Sequence, residues 1–277
     1  VSMQDFNVLF VVWRECVEAL LVVGVLNAWL AHRPTLERRA GRFWLWSGVA
    51  VGLVGAVALA ALLLTVGDAL GDEAQDYFQT FIVLFAAALI VQMVFWMRRH
   101  GRTLKKELHA SLDRTADRAN WLGVFFLSAL AVLREGSEAA VFLYGAMAGA
   151  SASHYGALVA ALAGVAAAVA TYGLLQLGGR VLSWAVFFRV TEAMLLLLAA
   201  SLLLTGVDHL IALGVVPPLS RRLWDTSALL SDSGMVGGLA SGLTGYRARP
   251  VLVELLVFVF YWIVVLWLLS RPRRAWP

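Results

Sequence analysis

Two short stretches of this 277-residue chain carry charges where the surrounding sequence is almost wholly apolar. The first reads Trp13-Arg14-Glu15-Cys16-Val17-Glu18-Ala19, and the second Leu133-Arg134-Glu135-Gly136-Ser137-Glu138-Ala139. Both are R-E-x-x-E-A, repeated at an offset of 120 residues. On a helix, two acids three positions apart share a face, and an Arg and a Glu four apart lie close enough to pair. Together the two stretches offer four carboxylates and two guanidiniums, a net negative charge when all are ionised. Carboxylate oxygens are hard donors and suit hard cations. With no thiolate or thioether at the ligand positions, soft ions such as Cu(I) are poorly matched. A trivalent ion answers the mutual repulsion of four carboxylates best. Fe(III) fits; Mn(II), Mg(II) and Ca(II) fit less well. One buried Arg–Glu pair can be a mere packing device. Two copies at one spacing, each with a spare acid, point to metal handling by Glu15, Glu18, Glu135 and Glu138, with Arg14 and Arg134 supporting them.

The elements that must position these residues follow from composition. The chain is 61% hydrophobic and 14% charged, with a mean hydropathy of +0.81. Soluble domains run nearer 45–50% apolar and about 25% charged. An ordinary soluble domain, a disordered chain and a nucleic-acid binder are therefore excluded. Period-2 alternation is absent, which argues against a membrane barrel. Seven apolar runs are near the ~20 residues that cross a bilayer: Val8–Leu30, Phe43–Val66, Phe78–Met97, Trp121–Ala148, Tyr155–Leu177, Trp184–Val207 and Pro250–Leu269. The expected fold is an all-α integral membrane protein of seven transmembrane helices. The first run is read as a span and not as a cleavable leader, because it lacks a basic flank and carries Arg14, Glu15 and Glu18. Charges at such depth cost about 2.5–3.5 kcal/mol each on insertion scales and usually serve function. The single cysteine, Cys16, permits no disulfide or thiolate cluster within the chain and reads as packing.

Of 22 basic residues, 16 fall on one side of these spans, including Arg38, Arg39 and Arg42, the run from Arg98 to Arg118, and the tail Arg271 to Arg274. The positive-inside rule then puts the N-terminus outside and the C-terminus in the cytoplasm. The first and fourth spans run in opposite directions with the same motif near their middles. Residues 1–97 and 121–207 thus read as a 3+3 inverted repeat within one transmembrane domain, 1–277, followed by an outer loop, 208–249, and a seventh helix, 250–269. Inverted repeats with a midplane site are a transporter signature.

Other polar positions carry weaker signals. Glu192 and Glu254 could guide an ion along its path or simply cap and snorkel at span ends. Gln79 and Gln92 could line a path or glue helices. Asp208 and Asp225 lie in the long outer loop, which reads as a short lid. The segment Gly67–Asp76 holds four acids and no base, and reads as a solvated turn or a cation-attracting vestibule. Gly48, Gly52 and Gly55, and Gly156, Ala160 and Gly164, are small residues at helical spacing that permit close helix packing.

With two R-E-x-x-E helices among seven spans, the chain resembles the high-affinity iron permease family, the membrane partner of an iron oxidase. The resemblance extends to Met93-Val94-Phe95-Trp96-Met97-Arg98, Asp225-Thr226-Ser227-Ala228 and Gly245-Tyr246. It implies iron import across a bacterial inner membrane, with Fe(III) supplied by an extracytoplasmic oxidase or iron-binding protein. It implies that the four motif glutamates handle the ion, and that no cofactor is permanently bound. Where family members often carry a Glu early in the third span, this chain has Gln79. The chain carries no appended oxidase domain, so oxidation is expected from a partner. Two other readings remain open: a divalent-cation or proton-coupled carrier using the same carboxylates, and a membrane enzyme or electron carrier. Against the last, the sequence has no HExxH, CxxC or GxSxG.

Overall fold

The computed structural model describes residues 3–31, 33–100, 121–147, 154–176, 184–220, 222–228, 230 and 235–270. Among them all regular structure is helical. The long helices are α1 (Met3–Ala31), α2 (Thr35–Ala69), α3 (Asp72–His100), α4 (Trp121–Met147), α5 (His154–Gln176), α6 (Trp184–Ala212) and α8 (Leu252–Ser270). A ten-residue helix, α7 (Met235–Thr244), sits between the last two. Five of them, α2, α3, α5, α6 and α8, are long and apolar enough to cross a membrane. Helices α1 and α4 are of similar length but carry the three charges of their motifs.

Several helices outrun the apolar stretches that announced them. Helix α2 begins at Thr35, so Arg38, Arg39 and Arg42 ride on its first turns and do not lie in a loop. Helix α6 continues through Asp208 to Ala212, five residues beyond the expected end of the sixth span at Val207. The reason is that hydropathy marks the hydrocarbon slab, whereas backbone hydrogen bonding continues past it where no Pro breaks the helix, running through Gly41 and Gly67 in α2. The acidic segment Gly67–Asp76 likewise shrinks to a connection of Leu70 and Gly71, with Asp68, Asp72, Glu73 and Asp76 exposed on the flanking helix ends. Asp72 and Glu73 occupy the first turn of α3, where negative charge complements the helix dipole.

The helices pair in a definite pattern. Helix α2 packs most extensively on α4, α1 on α5, and α3 on α6, while α1 also crosses α4. Small residues make the first two pairings close. A side-chain carbon at Gly52 would press on the Ala129 carbonyl and Val132, and one at Gly48 on Ser128 and the Phe125 carbonyl. On the other pair, Gly164 faces the Leu9 carbonyl and the Trp13 amide, and Ala160 is buried with Val8 and Val12. A core of Val83, Ile90, Phe142, Leu195, Leu198 and Val265 joins α3, α4, α6 and α8. The opposite faces of α2 and α8 expose Val54, Val57, Leu62, Phe260 and Leu266, continuous apolar surface that needs lipid to cover it.

The segment after α6 is stitched into a cap. Thr226 donates its amide to the Ala248 carbonyl at 2.9 Å, and its hydroxyl meets Tyr246 Oη at 2.5 Å. Arg249 pairs with Asp225 at 2.9 Å, and Arg247 with Asp208 at 2.7 Å. Helix α7 ends on Gly245 at φ 75°, a left-handed position that favours glycine, and packs on α6 and α1.

Candidate metal centre

Glu15 is the thirteenth residue of the 29-residue α1, and Glu135 the fifteenth of the 27-residue α4. Both motifs therefore sit at mid-helix, where α1 and α4 cross. The crossing brings Glu15, Glu18 and Glu135 together: one carboxylate oxygen from each lies within 4.8 Å of the others. Glu15 and Glu135 are buried and Glu18 is half-buried. Among the described residues no donor reaches Glu15 Oε2, Glu135 Oε2 or Glu138 Oε2, although these atoms are shielded from solvent. Buried carboxylate oxygens left without donors are costly unless a cation meets them.

The two arginines treat this cluster differently. Arg14 is 1% exposed; its Nη1 donates to Glu15 Oε1 at 2.5 Å, and its Nη2 pairs with Glu18. The same Nη1 reaches Met93 Sδ at 3.3 Å. Arg134 is 44% exposed, bonds Glu138 Oε1 through Nε at 3.1 Å, and stands 3.9 Å from Glu135. Its guanidinium lies over the Trp96 ring, 4.5 Å from the centroid. Glu138 is not one of the three clustered acids. With Arg134 it lines a cleft of about 280 Å³ whose other walls are Leu89, Gln92, Met93 and Trp96 of α3.

The remaining sequence candidates lie elsewhere. Glu192 on α6 bonds Arg98 at the end of α3 at 3.0 Å. Glu254 accepts the Val251 amide at 2.8 Å as an N-terminal cap of α8, and its carboxyl comes within hydrogen-bond reach of Asp208. It borders a second cavity, of about 440 Å³, with Trp224, Tyr246, Arg247 and Trp262. Asp225 is on the surface of the cap, where Ser227, through hydroxyl and amide, and then Arg249 pull its carboxyl down to about 2. Gln79 is half-buried in the second turn of α3, thirteen residues and so about 20 Å of helix rise from Gln92. Cys16 packs beside Val8, Val12 and Ala160. Met93 and Trp96 touch the motif residues but carry no charge to advertise them; they stood out in the sequence only through the Met93–Arg98 stretch. Arg247, which bonds Asp208 and Ser241, carries no sequence signal beyond its charge.

The crossing gathers carboxylate oxygens, the donors that hard cations take. The sequence profile of the iron permease FTR1 family matches residues 5–271. The ferrous iron permease EfeU of Shigella sonnei is 30% identical, with 95% of this chain and 94% of that protein aligned. The EfeU of Escherichia coli O6:H1 is 30% identical over 96% of this chain and 95% of its own length. That of Yersinia pseudotuberculosis is 27% identical over 98% and 94%. No solved structure matches. These relatives are permeases and not enzymes. With five helices apolar enough to cross a bilayer, the chain is a multi-pass membrane protein, and it belongs to the iron permease FTR1 family.

Proposed function

We propose that this protein carries iron across the cytoplasmic membrane into the cell, using the carboxylates of its two R-E-x-x-E helices. The observation that carries the reading is the meeting of Glu15, Glu18 and Glu135 at the α1–α4 crossing, the first and last buried, with Glu15 Oε2 and Glu135 Oε2 meeting no donor among the described residues. Seven spans are the topology, with α1 and α4 as polar spans whose charges face one another and not the lipid. The N-terminus is outside and the C-terminus cytoplasmic, as the basic residues require.

The packing supports the 3+3 inverted repeat. If α1, α2 and α3 are exchanged with α4, α5 and α6, the α2–α4 pairing becomes α5–α1, and the α1–α4 and α3–α6 pairings map onto themselves. The three leading contacts are thus those that a two-fold relation generates. A site at the interface of such repeats serves a carrier that exposes it to each side in turn.

Fe(III), delivered by an extracytoplasmic oxidase or iron-binding protein, is the transported form in this reading. All-oxygen ligands favour a hard ion, and the sequence has no motif able to oxidise iron. A second reading, transport of a divalent ion, is favoured by charge. Three glutamates and Arg14 leave the cluster at net −2, which Fe(II) neutralises, and the relatives are named for ferrous iron. Uptake of radioactive iron separates the two. Under the first reading, cells expressing the chain take up Fe(II) only when an extracytoplasmic oxidase is present, and equimolar Mn(II) does not compete. Full uptake of Fe(II) by the purified chain in liposomes without oxidant would favour the second. No iron-dependent uptake in either arrangement would remove both.

A further inference from the structure

We infer that the cleft between α3 and α4 is the cytoplasmic release path for the ion. In it Glu138 is the hand-over carboxylate and Arg134, docked on Trp96, is the cation that takes Glu138 back as the ion leaves. The inference rests on the iron-carrier reading and on its orientation. Three observations carry it. First, the structure divides four acids that the sequence presents as equivalent: three meet in the buried cluster, and Glu138 stands on the cleft wall. Arg134 stands 3.1 Å from Glu138 and 3.9 Å from Glu135, so one guanidinium links the cleft acid to the cluster beside it. Second, the cleft is lined by Leu89, Gln92, Met93 and Trp96, all in the C-terminal half of α3, which faces the cytoplasm in this orientation. Its polar lining, the Gln92 amide and the Glu138 carboxylate, offers oxygen ligands along the way. The Arg98–Glu192 pair lies just beyond them, Arg98 being two residues past Trp96 on α3. Third, Arg134 is held by two anchors at once, Glu138 and the Trp96 face. When an ion claims Glu138, Arg134 keeps the aromatic anchor and stays in the cleft, ready to displace the ion from its last carboxylate. Arg14, with no comparable exposure, stays with the cluster.

The test separates binding from passage. Iron retained by the purified protein in detergent reports the cluster, and radioactive iron uptake by cells reports the path. Glu15→Gln should lower iron affinity by about tenfold or more, as loss of a metal-site group does. Glu138→Gln should still retain iron in the purified protein, the three clustered acids being intact, yet lose most uptake. Gln92→Trp and Leu89→Trp, which put bulk into the cleft, should do the same, and their retained iron certifies an intact cluster. Rescue of binding-competent Arg134→Gln by Arg134→Lys is expected for uptake rate, with little change in retained iron. Glu138→Gln losing binding as fully as Glu15→Gln, or either tryptophan variant transporting at the unaltered rate, overturns the inference. Failure of the unaltered protein to bind or transport iron would overturn the carrier reading itself, and this inference with it.

Discussion

Replacing Arg14 by Gln should be far more damaging than the same change at Arg134, although the two residues head identical motifs. Arg14 is almost fully enclosed and touches both Glu15 and Glu18. Removing one member of a buried ion pair costs about 3–5 kcal/mol, because the partner is left charged in a poorly solvated site. For a chain of this size that is a fall of roughly 6–20 °C in thermal midpoint. Arg134 is 44% exposed on the cleft, and with water filling that cleft its pair with Glu138 is screened to about 0–1 kcal/mol. Its stacking on Trp96 adds about 0.5–1 kcal/mol at a site of this exposure. The expected fall is therefore a few degrees. The assay is a thermal scan of both purified variants in one detergent at one scan rate, with and without iron. Iron supplies the positive charge that Arg14→Gln lacks, so it should raise the midpoint of that variant more than that of the unaltered protein. Equal losses at the two positions, or no extra stabilisation of Arg14→Gln by iron, would refute the reasoning.

Three further outcomes are expected. Cysteines placed at the exposed positions Gly71 and Leu36 should label oppositely, Gly71 from outside intact cells and Leu36 only after permeabilisation; the reverse pattern would invert the topology. Gly52→Leu should overpack the α2–α4 contact by about 1–3 kcal/mol or more, since the obstacle is the Ala129 carbonyl, whereas Gly71→Ala, with open space around it, should leave the thermal midpoint unchanged. The tie between Asp225, Ser227 and Arg249 should respond to acid. The Asp225 carboxyl is depressed to about 2, so its contribution is present above the ordinary carboxylate range and is lost as pH falls through about 2. Hydrogen exchange over residues 222–228, corrected for intrinsic rates, should therefore stay slow at pH 4 and accelerate toward pH 2, and Arg249→Gln should move the change upward.

The local rules that sequence obeys were enough to find the motif acids and to pair each Arg with its fourth neighbour. They also identified the small-residue lines, because helical spacing puts Gly48, Gly52 and Gly55 on one stripe and Gly164 with Ala160 on another. What they could not separate is Arg14 from Arg134. The two stretches are alike in type and spacing, and only tertiary surroundings distinguish them: α5, α4 and the cap helix α7 pack on α1, while Arg134 looks into the cleft beside α3. The acidic segment Gly67–Asp76 was misjudged in extent for a related reason. Charge and glycine content signal a water-facing position, but they do not reveal that the helices on either side run on to leave two residues between them. Arg98 illustrates a third limit. Counted with the basic residues it speaks only of topology, and its bond to Glu192, 94 positions away, is visible only once α3 lies on α6.

The inequivalence of the two motifs bears directly on mechanism. In a carrier built from inverted repeats, the two halves share a sequence pattern but adopt different conformations at any moment, and exchanging the conformations exchanges the side that is open. Here one R-E-x-x-E stretch is enclosed and the other faces a cleft. Under the proposed inverted repeat, the exchanged state would enclose Arg134 and open a cleft beside Arg14. In that exchange, the desolvation of one Arg–Glu pair offsets the resolvation of the other, so the two states can lie within the few kcal/mol that allow both to be populated. An ion held by acids from both helices belongs to neither half alone. Under the proposed mechanism its binding draws α1 and α4 together, and its loss leaves each acid pair to its own arginine. Four carboxylates with two arginines can therefore cycle where four carboxylates alone could not: without the arginines the empty site would be held open by its own repulsion, and the ion, once bound, would have nothing to displace it.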